Sequence, residues 1–204
     1  MPPAAVPAVP VVVVVPVKAF ADAKARLAPV LDPHERARLA RRLADTVVAA
    51  AAPLPVVVTC DHDDVRQWAL DAGHEVDWTP GLGLNGAVNA TVERLATRGI
   101  PRVIVAHADL PFARNLARLA DGPAVTLVPD RHEDGTNVMS VPTDAGWTFR
   151  YGPGSFALHR EEAARLGLEV RVLRDRALAW DIDHPEDLDA PVELGPVPWD
   201  RSQV

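Results

Sequence analysis

The chain has 204 residues, of which 48% are hydrophobic and 24% charged, as is typical of one globular domain with a substantial core. Its net charge is −7 and it has no basic block, which excludes nucleic acid as an expected partner. A single cysteine, Cys60, excludes an internal disulfide framework and favours a reducing, cytoplasmic location. The apolar residues before Cys60 favour a core position for it over a catalytic one.

The first 17 residues carry no charge and contain five prolines. A secretory signal would begin with positive residues, and a membrane-spanning helix needs about 20 apolar residues that so many prolines would interrupt. We therefore expect no membrane partner. The sequence predicts a loose leader rich in proline and alanine over residues 1–10, a single domain over 11–192 and a tail over 193–204.

Beyond the leader, apolar runs typical of buried strands alternate with stretches of helical periodicity. The predicted strands are Val11–Val15, Leu54–Thr59, Glu75–Trp78, Arg102–Ala106, Ala124–Val128, Asn137–Val141 and Glu169–Leu173. The predicted helices are Pro33–Ala52, Asp63–Ala72, Asn85–Thr97, Arg114–Ala120, Ser155–Leu166 and a terminal helix beginning at Pro185–Asp189. This alternation predicts an α/β fold with a mostly parallel central sheet flanked by helices.

Local signals support several of these boundaries. Asp32 is suited to cap the first helix, with Pro33 at its first position. Gly73 and Gly99 are placed to end the second and third helices. The unbroken valines of Val11–Val15 favour a parallel strand that is buried on both faces.

The segment Val17–Pro29 follows the first strand and carries Lys18, Lys24 and Arg26. Ligands of parallel sheets bind beyond the carboxyl ends of strands, where this segment begins. It lacks the glycines of the common phosphate-binding loops, so any positive charge for an anion must come from these three side chains. The alternative is an ordinary solvated helix start that happens to be basic.

Three carboxylates follow apolar runs elsewhere. Asp109 lies shortly after the predicted strand Arg102–Ala106. Asp181 and Asp183 form an Asp-x-Asp pair, which holds two oxygen ligands close together. Mg²⁺ binds to one or two carboxylates together with substrate phosphates and water. The alternative is that Asp109 and Asp183 cap the helices that follow them.

The loop Gly152–Phe156 can surround an anion with backbone N–H groups. Four histidines, His62, His74, His132 and His159, show no zinc-ligand spacing and are interpreted as structural or solvated. Cations for phosphates, carboxylates for a divalent metal and an anion-binding loop together predict an enzyme of nucleotidyl transfer.

Six segments in this order carry a family resemblance. They are Pro16–Lys18 with Ala23–Leu27, Gly83–Val88, Ala108–Pro111, Asp134–Asn137, Tyr151–Ser155 and Asp181–Leu188. Together they resemble the phosphoenolpyruvate or 2-phospho-L-lactate guanylyltransferases of deazaflavin coenzyme (F-420) biosynthesis. The resemblance runs from about Val11 to Leu188. It implies the Rossmann-like, GT-A-like fold of the sugar-nucleotide and molybdopterin nucleotidyltransferases.

The resemblance also implies roles for particular residues. The implied metal ligands are Asp109, Asp181 and Asp183, holding Mg²⁺, with two ions expected. The implied GTP-binding residues are Lys18, Lys24, Arg26, Gly83, Asn85 and Gly86, the last three in a loop beside the nucleoside. The implied residues for the phosphorylated three-carbon acid are Thr136, Gly152 and Ser155. Lys18, Asp109 and Asp181 are the implied catalytic residues.

The implied partners are GTP, phosphoenolpyruvate or 2-phospho-L-lactate, and a downstream transferase of the same pathway that receives the labile product. The oligomeric state stays open, with a homodimer as one alternative. The chain departs from the family at His184, where threonine is usual, and at His107, where a smaller or amide side chain is common.

Two other functions stay open. A cytidylyl- or molybdopterin-type nucleotidyltransferase of the same fold should have a glycine-rich first loop, and Ala19–Ala23 has no glycine. A non-catalytic nucleotide-binding subunit should lack a metal carboxylate, and all three are present.

Overall fold

A computed structural model of the protein describes residues 10–122, 124–197 and 199, and in this part of the chain seven strands form one central sheet. The strands are β1 (Val11–Pro16), β2 (Val56–Cys60), β3 (Glu75–Trp78), β4 (Arg102–Ala106), β5 (Val125–Pro129), β6 (Thr136–Pro142) and β7 (Val170–Val172). The α-helices are α1 (Pro33–Ala50), α2 (Asp63–Asp71), α3 (Gly83–Thr97) and α4 (Ser155–Arg165). The predicted α/β architecture is confirmed.

The sheet order is β3-β2-β1-β4-β6-β5-β7, and every neighbouring pair is parallel except the two that involve β6. Strand β6 is antiparallel because only the segment between Pro129 and Thr136 joins it to β5, and this is too short for the crossover that a parallel pair needs. Asp130 closes this turn by accepting backbone N–H bonds from His132, Asp134 and Gly135 at 2.7–3.1 Å.

The valines of β1 pack into both layers of the fold. Val11, Val13 and Val15 join the cluster under α1 and α2, whereas Val12 and Val14 join the cluster under α3 and α4. Side chains alternate across a strand, so a run of valines is buried on both faces. The predicted burial of β1 is confirmed, and Cys60 is buried in the first cluster as expected.

Helix boundaries follow the local signals. The Asp32 carboxylate accepts a bond from the Glu35 N–H at 2.9 Å, and the Glu35 carboxylate accepts one from the Asp32 N–H at 2.8 Å, which completes a capping box. Gly73 and Gly99 follow α2 and α3 with φ of 78°, a left-handed conformation that glycine adopts without steric cost. No helix among the described residues has the length and apolarity to cross a membrane.

Two predicted helices are wrong. Instead of an α-helix over Arg114–Ala120 there is a 3-10 turn at Leu116–Leu119, because the left-handed backbone at Asn115 prevents an earlier start. The predicted terminal helix is a 3-10 turn at Pro185–Leu188, and Pro191 disfavours helical backbone just beyond it. The predicted leader, apart from Pro10, and residues 198 and 200–204 of the predicted tail lie outside the described residues.

Candidate active site

A cleft of about 780 Å³ lies at the edge of the sheet where β1 and β4 end. Lys18 follows β1, and Asp109 follows β4, so the parallel strands deliver a cation and a carboxylate to the same edge. The predicted site residues that line the cleft are Lys18, Lys24, Arg26, Gly83, Asp109 and Asp183.

The basic segment after β1 folds as two short 3-10 turns, Phe20–Asp22 and Ala25–Leu27. No α-helix starts in this segment, so the helix of the alternative interpretation is wrong, whereas Lys18 and Arg26 are exposed as that interpretation expects. Between the turns, Lys24 has a left-handed backbone with φ of 56°, and its side chain is only 9% exposed. Lys18 is exposed and has no ion-pair partner within the described ranges, so its ammonium is available to a ligand in the cleft.

Lys24 neutralises two of the carboxylates. Its Nζ lies 2.8 Å from Asp109 Oδ2 and 3.2 Å from Asp183 Oδ1, and Arg26 Nη1 lies 3.2 Å from the other Asp183 oxygen. Burial opposes the charge of Lys24, but the two carboxylates outweigh burial and raise its pKa. Burial opposes the charge of Asp109 as well, but Lys24, His107 and a backbone hydrogen bond together outweigh burial and lower its pKa. Lys24 thus contacts carboxylates directly, although the family resemblance places it at the phosphates.

Asp109, Asp181 and Asp183 come together as predicted, with one ligand atom from each lying within 4.8 Å of the others. Burial first, and the neighbouring carboxylates of Asp109 and Asp183 second, raise the pKa of Asp181 to about 6. The Oδ1 atom of Asp109 is buried and accepts no hydrogen bond from any described residue. An unpaired carboxylate oxygen in a cluster of oxygen donors is a ligand set suited to Mg²⁺.

The Asp181–Asp183 segment is held by residues that the sequence analysis did not single out. Arg131 forms an ion pair with buried Asp187, lies 3.7 Å from Asp181 and stacks 4.4 Å from the Trp180 ring. The Asp187 carboxylate accepts N–H bonds from Asp183 and His184, both at 2.7 Å.

The capping alternatives are wrong for both aspartates. The carboxylate of Asp187, a residue of the Pro185–Leu188 turn itself, accepts the N–H of His184 at the start of this turn. Asp183 therefore does not cap the turn. Asp109 pairs with Lys24, and no α-helix follows it at Arg114–Ala120.

Thr136, Gly152 and Ser155 form a second group beside the cleft and are not among its lining residues. Ser155 Oγ accepts a bond from the Thr136 N–H at 3.1 Å, and Thr136 Oγ1 lies 3.0 Å from Nδ1 of His159. Thr136 begins β6, whose reversed direction places its first residue at the edge where the parallel strands end. The group therefore shares the sheet edge with Asp109.

Tyr151 and His107 connect the second group to the cleft. The Tyr151 ring lies 4.8 Å from that of His107, which lines the cleft, and 5.0 Å from that of His159. Burial lowers the pKa of His107, and no described residue bonds its Nε2. The sequence does not indicate these ring contacts, because His107 is distant from Tyr151 along the chain and an aromatic residue alone does not identify its neighbours.

The three residues implied for the nucleoside lie in the first turn of α3 rather than in a loop. Gly83 lines the cleft, whereas Gly86 packs so tightly that a Cβ would lie 3.0 Å from that of Leu82. The Asn85 amide donates to the Tyr151 carbonyl at 3.0 Å and accepts from its N–H at 2.6 Å. Asn85 thus fixes Tyr151 and the adjoining Gly152.

Comparisons with known proteins identify the family of this chain. A family model described as "Guanylyl transferase CofC like" matches residues 11–193. The phosphoenolpyruvate guanylyltransferase of Sphaerobacter thermophilus is 34% identical over 195 residues, covering 91% of this chain and 94% of its own length. That of Rubrobacter xylanophilus is 35% identical over 184 residues, covering 86% of this chain and 90% of its own length.

Solved structures show the same fold at low identity. A crystal structure of a Desulfovibrio desulfuricans protein matches with a TM-score of 0.74 at 19% identity, covering 88% of this chain and 84% of the other. A nucleotidyl transferase from Methanothermobacter matches with a TM-score of 0.60 at 14% identity, covering 87% and 93%. The predicted nucleotidyltransferase fold is confirmed. With the family model spanning almost all of the described residues and relatives above 30% identity over most of their length, the chain belongs to the CofC-like guanylyl transferase family.

Proposed function

We propose that this protein transfers GMP from GTP to phosphoenolpyruvate, with release of pyrophosphate, as a step in the biosynthesis of coenzyme F-420. The observation that carries the proposal is the cluster of Asp109, Asp181 and Asp183, of which Asp109 and Asp183 line the same cleft as exposed Lys18. Relatives named phosphoenolpyruvate guanylyltransferase support the choice of nucleotide and acceptor. The alternative acceptor is 2-phospho-L-lactate.

Mg²⁺ is the metal that the carboxylate cluster fits. All three donors are oxygens, and one oxygen of Asp109 is buried without a hydrogen bond among the described residues. We propose that Asp109, Asp181 and Asp183 hold Mg²⁺. Bound Mg²⁺ would neutralise charge on the phosphates and help the pyrophosphate to leave.

The reaction joins two anions, so charge neutralisation is the main task of the chain. A phosphate oxygen of phosphoenolpyruvate attacks the α-phosphorus of GTP, and the bond to the β-phosphate oxygen breaks. Coulomb repulsion between the reactants grows as water leaves the site. We assign to the triphosphate Lys18 and also Arg26, whose Nη1 lies 3.2 Å from Asp183, while Lys24 balances the carboxylates of Asp109 and Asp183.

The reaction needs no strong general base. A phosphate monoester loses its second proton with a pKa of about 6, so the attacking oxygen is already ionised at neutral pH. His159 does not serve as a base, because it is fully buried and burial lowers its pKa to about 4.

The acceptor site is formed by the hydroxyls of Thr136 and Ser155 and the backbone at Gly152. Both residues are almost fully buried. The Ser155 hydroxyl oxygen accepts a hydrogen bond from the Thr136 N–H and keeps its hydrogen to donate to an anion, and Thr136 Oγ1 lies 3.0 Å from Nδ1 of His159. The loop of Gly152 is held by Asn85 through Tyr151. The product, an acyclic acid joined to GMP through a pyrophosphate link, is labile, and we propose that a downstream transferase consumes it.

The test is release of pyrophosphate by the purified protein supplied with Mg²⁺, GTP and phosphoenolpyruvate. Parallel reactions replace GTP by CTP or ATP, and the acceptor by 2-phospho-L-lactate or 3-phosphoglycerate. We expect the GTP and phosphoenolpyruvate pair to give the highest kcat/KM. Faster turnover with CTP would refute the choice of nucleotide. Faster turnover with another acid would mean that this acid, and not phosphoenolpyruvate, is the acceptor. Absence of turnover with every pair would refute the enzymatic function.

A further inference from the structure

His159 is fully buried, and both of its ring nitrogens are engaged. The backbone N–H of Arg150 donates to Nε2 at 3.1 Å, and Nδ1 lies 3.0 Å from Oγ1 of Thr136. A backbone N–H can only donate, so Nε2 must offer a lone pair. A neutral imidazole carries one hydrogen, which then lies on Nδ1. The structure therefore selects one tautomer of His159.

That tautomer sets the direction of the hydrogen bond to Thr136. Nδ1–H donates and Thr136 Oγ1 accepts, so the hydroxyl hydrogen of Thr136 does not point at the histidine. In the described part of the chain, Oγ1 of Thr136 has no other hydrogen-bond partner. The hydroxyl hydrogen of this almost fully buried threonine thus has no acceptor among the described residues and is left to donate to a ligand.

The opposite tautomer of His159 would reverse the direction of its hydrogen bond with Thr136. Thr136 would then donate its only hydroxyl hydrogen to Nδ1 and would present lone pairs to any ligand. Lone pairs repel the carboxylate and phosphate of an anionic acid, whereas an O–H stabilises them. Arg150 contributes through its backbone N–H, which is independent of its side chain.

We propose that His159 is a positioning residue of the acceptor site, which orients the Thr136 hydroxyl as a hydrogen-bond donor to the phosphorylated three-carbon acid. His159 does not touch the acid and acts through Thr136. The inference rests on the proposed function, since it takes Thr136 to contact the acceptor.

A double-mutant cycle with four proteins tests the inference: wild type, Thr136→Val, His159→Leu and the double variant. KM is measured separately for phosphoenolpyruvate and for GTP. Loss of a hydrogen bond to a charged group raises KM by about tenfold to a hundredfold. We expect His159→Leu to raise KM for phosphoenolpyruvate by about tenfold and to change KM for GTP by less than about twofold. On the Thr136→Val background, His159→Leu should add no further increase.

His159→Asn is the conservative variant, because its amide N–H can replace the Nδ1–H donor and should restore most of the lost affinity for phosphoenolpyruvate. His34→Leu, an exposed histidine of α1, is the matched control and should change neither KM. The tautomer is measured directly by ¹⁵N NMR of wild-type protein, which does not depend on any variant folding.

The outcomes separate the inference from the function on which it rests. If Thr136→Val leaves the KM for phosphoenolpyruvate unchanged while turnover is normal, the assigned acceptor site is wrong. If Thr136→Val raises it and His159→Leu does not, the function stands and the role of His159 is refuted. If His159→Leu raises the KM for phosphoenolpyruvate equally with and without the Thr136 hydroxyl, His159 contributes only packing. A proton on Nε2 in the NMR spectrum would also overturn the inference.

Discussion

Asp181→Asn should make the protein more stable at neutral pH while removing a metal ligand. Burial and the carboxylates of Asp109 and Asp183 raise the pKa of Asp181 to about 6, from 3.8 in a free side chain. The ionised form is therefore less favourable in the folded protein than in the unfolded chain. The side chain is 21% exposed, so solvent screens this effect only partly. Asparagine has the shape of the protonated acid and never carries the charge.

The size of the effect follows from proton linkage. Between pH 3.8 and 6 the folded protein binds about one more proton at Asp181 than the unfolded chain, so this group lowers the unfolding free energy as pH rises. Ionisation of Asp181 favours the unfolded chain by about 3 kcal/mol at pH 7 and by about 1.5 kcal/mol at pH 5, where the folded protein still keeps this carboxyl mostly protonated. The Asp181→Asn variant should exceed wild type in unfolding free energy by about these amounts. His159 titrates equally in both proteins, so it cancels in the comparison.

The assay is urea unfolding of both proteins at pH 7 and pH 5 in the presence of a metal chelator. Asp189→Asn, which replaces an exposed carboxylate nearby, is the control and should change the unfolding free energy by less than about 0.5 kcal/mol at either pH. A difference between wild type and Asp181→Asn that is the same at both pH values, or a variant that is less stable at pH 7, would refute the electrostatic argument.

Asp109→Asn should abolish pyrophosphate release and leave the circular dichroism spectrum unchanged, because asparagine retains an oxygen for Lys24 but loses the charge that a metal needs; near-normal release would remove Asp109 from the mechanism. Lys18→Ala should raise the KM for GTP with only partial recovery in Lys18→Arg, since the planar guanidinium differs from a compact ammonium; an unchanged kcat/KM for GTP would refute the assignment. Asn85→Ala should lower the unfolding free energy by about 1–3 kcal/mol, because the Tyr151 N–H and carbonyl lose their partner; a urea unfolding curve that matches wild type would contradict this role.

Local signals in the sequence were sufficient for most of the fold. The valines of β1, the capping residues Asp32 and Glu35 and the glycines after α2 and α3 act within a few residues of where they stand. Apart from the two short 3-10 turns, every predicted helix and strand is present within two residues of its predicted ends. The direction of β6 was not predicted, although the short segment between β5 and β6 already favours an antiparallel pair.

The site was predicted less completely, for a physical reason. Its residues were found from their positions after strands and from the family resemblance, but their partners are remote along the chain. Lys24 is 85 residues from Asp109 and 159 from Asp183, so no local pattern shows that its ammonium bridges them. The support of Asp183 by Arg131 and Asp187 likewise depends on tertiary packing.

Because most strands of the sheet run in the same direction, the cleft lies at the end of the sheet where these strands end, and connecting turns lie at the opposite end. The glycine turns after α2, α3 and α4, and the exposed turn around Asp144 and Gly146, all lie where the parallel strands begin. The five residues of β4 separate that end from the cleft by about 17 Å. Affinity tags, fluorophores or surface anchors introduced at the Asp144–Gly146 turn should therefore leave substrate access open, which makes this turn the natural attachment point for immobilising the enzyme or reporting on its reaction.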